Sequence, residues 1–305
     1  MSIKNRFRTF LVVSICLLAT TSVAHAQYSG GSGEPNDPYQ IATATDLIAL
    51  GETPDDYDKH FIMTADIDLD PNLPGRKVFD KAVIAPYRVS PFEGVFDGND
   101  HQILNMTIWG VIHIGLFGSV GTDGEVLNLG LEGATVAGAA GWAPVGVAVS
   151  HFTEGSDYVG GLVGLNDGHV SGCYCTGVVT GETSVGALAG RSNGSVADCY
   201  SAASVGGNTY IGGLVGYNGG GITGSYSTGE VDGGQRVGGL VGYNGGGITG
   251  SYSTGEVDGG QDVGGLVGSN GGGITGSYST GEVDGGGTAC RRPGGSQQWC
   301  HHYEL

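Results

Sequence analysis

The sequence predicts an all-β chain wound as a parallel solenoid, with about 26 residues per coil and a mixed N-terminal cap. Three observations carry this reading. Tyr174, Tyr200, Tyr226, Tyr252 and Tyr278 recur at one constant interval, and Val159, Val185, Ile211, Val237 and Val263 recur at the same interval. Five units in register mark a repeat architecture in which each unit packs mainly on its neighbours. Glycine, 63 of 305 residues, argues against helices in the unit, because each helical Gly costs roughly 1 kcal/mol relative to Ala. There is no G-X-Y period, so collagen is excluded. Finally, the β-favouring pieces "GLVG", "SYST" and "GEV" alternate with "NGGG" and "DGG", which read as turns. Coils stacked in this way rise about 4.8 Å each and align equivalent residues in ladders.

The chain divides in order. Residues 1–26 read as a signal peptide: Lys4, Arg6 and Arg8 form a basic start, "FLVVSICLLA" an apolar core, and "AHA" a cleavage site before Gln27. The apolar run is too short for a membrane span, and the expected location is secreted or cell surface. Removing it leaves 9 Lys and Arg against 30 Asp and Glu, a net charge of about −21. Such a surface is unsuited to nucleic acid, which needs neutralising cations.

Residues 27–110 do not repeat and are expected to form the cap and first coils. Thr43 is read as a helix N-cap with Asp46 three residues on, and Gly51 as the helix stop. "HFIMTADIDLD" alternates like a strand, and "FEGVFDGNDHQILNMTI" reads as strand, turn, strand. A solenoid needs such a cap to cover its first edge. In 111–158 the period lapses, since Ile114 and Val159 are separated by well over one repeat, and a partial coil plus a loop is expected. Residues 159–288 hold the five repeats.

The tail, 289–305, departs from the pattern. With the first base dropped, the codons from Cys290 onward permit "VGGLVGRSNG", close to "VGALAGRSNG" at 185–194. The tail therefore reads as a repeat out of frame, or else as an unrelated end. On that reading Cys290, Cys300, His301 and His302 are not a metal site. If the chain ends there, its last coil exposes a strand edge through which copies could associate.

"GLFG" at 115–118 and "GLVG" at 161–164, 213–216, 239–242 and 265–268 resemble the GLUG motif, Gly-Leu-any-Gly; 185–190 departs from it with "VGALAG". The "PYQI", "ADIDL", "FDGNDH" order is similar to the segment that often precedes such repeats. The resemblance covers roughly 90–288. It implies a right-handed parallel β-helix of the kind found in secreted or surface bacterial proteins, some adhesin-like, some attached to peptidase domains.

Candidate chemistry falls on the ladders. Glu230, Glu256 and Glu282 form one acidic row and Asp232, Asp258 and Asp284 another. Either they are a solvated face, or they bridge calcium, which takes several oxygen ligands. No other cofactor is indicated. Alternation places Tyr174, Tyr200, Tyr226, Tyr252 and Tyr278 outward, with Ser225 and Ser227 inward. Such rings could stack on sugars or a partner protein, or simply on one another. Cys173 and Cys199 are one period apart, within reach of a disulfide, or else buried thiols in a Ser/Cys ladder.

No HExxH or P-loop occurs. Asp97 and His101 in "FDGNDH" are a close acid–His pair, and a turn role suits them better. The expected function is an exported acidic scaffold for surface or extracellular interaction and adhesion, with a glycan or surface protein as partner. The alternatives are a carbohydrate-active β-helix with a carboxylate groove around 90–158, or a truncated repeat module of a larger surface protein.

Overall fold

A computed structural model describes residues 27–138 and 158–285. The segments read from the sequence as a signal peptide and an out-of-frame tail lie outside the described residues. Every strand pairing between named strands is parallel, each residue facing its equivalent one coil away, as in Val185 to Ile211 and Val237 to Val263. The result is an all-β parallel solenoid with roughly 26 residues per coil.

Three sheets run its length. One contains nine short strands, from Tyr39–Ile41 to Gly273–Thr275. A second contains six, from Phe117–Val120 to Val267–Asn270, built on the second half of each "GLVGYN" run. The third carries the "SYS" strands together with the long "VDGGQRVG" strands. Alternation aims one side of every strand inward. Val237, Leu240, Val241, Ile248 and Val257 of one coil are all 0–1% exposed. Each is stacked on its own copy, so a duplicated coil brings a side chain that already fits.

The cap follows the sequence at its start and departs from it at its end. The helix Ala44–Glu52 begins at Thr43, whose side chain accepts from the Asp46 amide while the Asp46 carboxylate accepts from the Thr43 amide. This reciprocal pair satisfies amides that the first turn leaves without partners. The expected stop at Gly51 is corrected. The helix runs past it to Glu52, and a Cβ at Gly51 would lie 1.9 Å from the Val83 carbonyl oxygen. Glycine is needed there for close approach, not for termination. Leu47 and Leu50 join a core with Tyr28, Phe61, Phe92, Phe96 and Phe117, so the largest side chains lie under the cap. Further along, small Ser and Cys side chains line the wall.

The coil expected to be partial is paired on every side. Phe117 faces Val163, Val126 faces Val170, Leu131 faces Cys175 and Val136 faces Val179. The excess over one period equals the length of segment 139–157, which lies outside the described residues. A coil interrupted at a single corner keeps its register because the ladder bonds on its other sides fix it.

Candidate interaction surfaces

The "SYST" strand turns Ser225 and Ser227 inward, both 0% exposed, and leaves the intervening Tyr226 half-exposed. The five tyrosines form one stack, with ring centroids 4.8–5.2 Å apart and planes within 8° of parallel. That spacing is the coil rise itself. Each ring therefore spends its faces on its neighbours. Tyr174 closes one end over Gly130, where a Cβ would fall 2.5 Å from its Cζ. What reaches solvent is a row of ring edges and phenol oxygens. Burial first, and the adjacent phenols second, hold Tyr174 and Tyr252 above the ordinary tyrosine pKa.

Glu230, Glu256, Glu282, Asp232, Asp258 and Asp284 are all exposed. Among the described residues no three of His, Cys, Asp and Glu converge on a point that could hold a metal. Parallel register lines the carboxylates up in rows, Asp232 facing Asp258 and Asp258 facing Asp284. Two carboxylates in the segment 90–138 serve turns. Asp97 accepts from the Asn99 amide and from Asn128, and Glu93 from the Asp123 amide. His101 pairs with Asp66 at 3.0 Å and not with Asp97.

Cys173, Cys175 and Cys199 are buried free thiols, the second of the two readings of the Cys173 and Cys199 pair. The two coils stack their side chains in the same direction, and each sulfur faces a carbonyl. Cys173 Sγ lies 3.2 Å from the Ser171 oxygen and Cys199 Sγ 3.1 Å from the Ala197 oxygen. Ser225, Ser251 and Ser277 continue that ladder, each hydroxyl accepting from the amide of the residue one coil earlier. Burial pushes the Cys175 thiol up to about 12 and raises Cys173 well above its usual range. Both thus stay protonated in the fold when the unfolded chain, with a thiol pKa near ~8.5, would ionise. Their contribution is fully present below pH ~8.5 and is lost as pH rises from there toward the folded value. The melting temperature is expected to fall across that window, and that of a Cys173→Ser/Cys175→Ser variant to fall less. Equal slopes for the two proteins would refute this.

A second ladder was not foreseen from the sequence. It follows the corner before the six-stranded sheet and the outward position within that sheet. Arg88 lies over Tyr87, Tyr87 meets His113 edge-on at 4.9 Å, and His113 stacks on Tyr158 at 5.0 Å. The Arg191 guanidinium sits between the Tyr158 and Tyr217 rings, 5.6 and 4.6 Å from their centroids. Tyr217 then stacks on Tyr243 at 4.9 Å, Tyr210 packs edge-on against both, and Arg236 covers Tyr210. The Arg191 Nη1 donates to the Tyr158 hydroxyl at 3.1 Å, and Arg236 donates to the Tyr210 hydroxyl. Burial depresses the His113 pKa against the opposing pull of Asp167. The signal available in the sequence was variation at a fixed place in otherwise constant repeats.

Comparison with known proteins agrees with the repeat reading. A model of the GLUG motif matches residues 207–232 and 233–258. Halomucin of Haloquadratum walsbyi is 32% identical over 157 residues, covering 50% of this chain and 2% of halomucin. A protein described as a Gly-rich membrane protein of Evansella cellulosilytica is 36% identical over 149 residues, 42% of this chain and 16% of that protein. The chain thus spans a small part of either relative. A crystal structure described as an immunoglobulin A1 protease of Bacteroides ovatus superposes with a TM-score of 0.63 at 20% identity, covering 88% of this chain and 84% of that one. That likeness is one of fold. No helix among the described residues is long and apolar enough to cross a membrane. The described structure is a parallel β-solenoid, and two of its adjacent repeats, 207–232 and 233–258, match the GLUG motif.

Proposed function

We propose that the chain is an exported, acidic scaffold that works at the cell surface or outside it, holding a glycan or a surface protein, with adhesion as its role. One observation carries this reading most directly. The coil interior is filled by stacked Val, Leu and Ile, while the side chains with binding chemistry stand in rows along the outside. A row engages an extended partner by many small contacts, whereas catalysis needs one distinctive constellation. The surface character of the two relatives' descriptions supports the same reading.

The test is retention of the purified, fluorescently labelled chain on an array of polysaccharides, mucin and extracellular matrix proteins. Saturable retention on at least one of them, without release of reducing ends from the polysaccharides, is expected. Absence of retention everywhere would sink the scaffold reading, and release of reducing ends would favour a carbohydrate-active enzyme.

A further inference from the structure

Residues 235–260 and 261–286 differ at two positions, Arg236 against Asp262 and Tyr243 against Ser269. The preceding copy, 209–234, differs from 235–260 at three: Thr209 against Gln235, Tyr210 against Arg236, and Ile211 against Val237. Ile211 to Val237 is a conservative change in the core. Thr209 and Gln235 adjoin the corner, and every other difference falls on the ladder of tyrosines and arginines. Exposure alone does not explain this confinement. Thr228, Thr254 and Thr280 are exposed, as are the Glu and Asp rows, and all are unchanged across the three copies.

The backbone adds an independent point. The variable corner is left-handed at His113, Ser184, Tyr210, Arg236 and Asp262, with φ between 49 and 61°. For residues other than Gly this conformation costs roughly 1–2 kcal/mol. The other left-handed corner of the same coils uses Asn128, Gly172, Asp198, Gly224, Gly250 and Gly276, residue types that adopt it readily. In a chain so rich in Gly, His113, Tyr210 and Arg236 are retained at the variable corner despite that cost, whereas Ser184 is small and Asp262 is of a type that adopts it readily.

Charge points to the ligand. Arg191 and Arg236 are the only Lys or Arg in residues 158–285, and both lie on this strip. Packing against tyrosine holds each guanidinium in place, so little further freedom is lost when its remaining N–H groups meet a carboxylate. Asp262 lies 3.9 Å from Arg236 and partly neutralises that end. Asp167 is linked to Arg191 only through Asn193, whose Nδ2 donates to the Asp167 carboxylate at 2.7 Å, so Arg191 is the stronger anion contact. Tyrosine hydroxyls and Asn193, which accepts from Arg191 Nε at 3.0 Å, surround it with groups suited to sugar hydroxyls.

We infer that this strip is the ligand-reading surface of the solenoid, and that its ligand is a carboxylate-bearing polysaccharide laid along the solenoid axis. The inference rests on the scaffold reading and specifies its surface. A peptide would gain most by adding a strand to a sheet edge, but the strip lies on the face of strands already paired on both sides. The acidity of the rest of the chain opposes such a ligand at a distance. At physiological salt that repulsion is screened beyond about 8 Å, while the guanidinium contacts are made at shorter range.

The test uses the full chain in 0.15 M salt, with polygalacturonate as the probe and dextran and poly-L-glutamate as comparisons, by isothermal titration calorimetry. Polygalacturonate is expected to bind, Arg191→Gln to weaken it at least tenfold, and Asp262→Arg, which restores the residue of the preceding copy, to tighten it several-fold. Glu256→Gln, on the acidic row, is expected to change it less than twofold. Circular dichroism melts establish that each variant is folded. Equal affinity of wild type and Arg191→Gln for polygalacturonate would overturn the inference. So would equal binding of dextran, which needs no guanidinium, or of poly-L-glutamate, which would make the partner an acidic peptide. Retention on the array without polygalacturonate binding would remove this strip alone and leave the scaffold reading standing.

Discussion

Gly246→Ala is expected to destabilise the solenoid by about 3 kcal/mol, while Gly247→Ala, one residue further on, is expected to change stability by less than about 0.5 kcal/mol. The two positions are adjacent in sequence and differ in what faces them. A Cβ on Gly246 would lie 1.9 Å from the Gly220 carbonyl oxygen and 2.8 Å from its carbon. These are backbone atoms of the neighbouring coil, so no rotamer can relieve the overlap. The same oxygen accepts from the Gly247 amide at 2.8 Å, so pushing the coils apart breaks a ladder bond as well. A Cβ on Gly247 meets nothing within 4 Å. There Ala restricts the unfolded chain, which offsets any small loss in the fold.

Thermal melts of the two variants, with amide exchange to locate the opening coils, check this. Comparable stability of the two variants would mean that the coil spacing relaxes to admit a methyl group. The clash recurs at Gly272, where a Cβ would fall 1.9 Å from the Gly246 oxygen. A Gly246→Ala/Gly272→Ala pair should therefore cost more than either substitution alone, with fast exchange confined to the coils on either side.

The periodicity made the fold legible because a solenoid writes its geometry directly into spacing: one coil, one repeat, one ladder. The inward Ser225 and outward Tyr226 follow from strand alternation alone. What alternation could not supply was the direction of the ring faces. Tyr226 points outward, yet the rise between coils matches the separation of stacked rings, so the faces close on each other and only edges are offered. Similarly, adjacency of Cys173 and Cys199 in the ladder was readable, but the direction of each sulfur depends on a rotamer. The strip through Arg191 and Tyr217 was hidden for another reason. Its members come from a corner and a strand that are apart in sequence, and they alternate between coils, so no short window of sequence contains it. Gly51 was misread because a helix stop and a close approach both call for Gly, and only the opposing Val83 carbonyl separates them.

The second large effect concerns the buried amide ladder, which the Asn ending "GLVGYN" and "GLVGSN" in the last three coils builds inside the wall. Asn218 Nδ2 donates to Asn244 Oδ1 at 2.7 Å, and Asn244 Nδ2 to Asn270 Oδ1 at 2.7 Å. Asn218 and Asn244 are 0% exposed. Asn218 Oδ1 also accepts from the Gly220 amide at 3.2 Å, so the row ties each turn to the next coil. Asn244→Ala removes both links and leaves a donor and an acceptor without those partners, each costing about 1–3 kcal/mol when buried. A loss of about 3 kcal/mol is expected. Asn244→Asp is the more informative variant. A carboxylic acid at that position can still accept from Asn218 and donate to Asn270, whereas a carboxylate would face the Asn270 oxygen without a proton and without solvent. Burial should therefore hold its folded pKa above the ~3.9 of the unfolded chain. The bond it preserves is fully present below pH ~4 and is lost as pH rises through the folded value. The melting temperature of Asn244→Asp should approach that of the wild type near pH 4 and fall well below it at pH 7.5, while the deficit of Asn244→Ala stays nearly constant. A deficit for Asn244→Asp that does not change with pH would show that the amide row is open to water, and with it that the ladder does not tie the turns together.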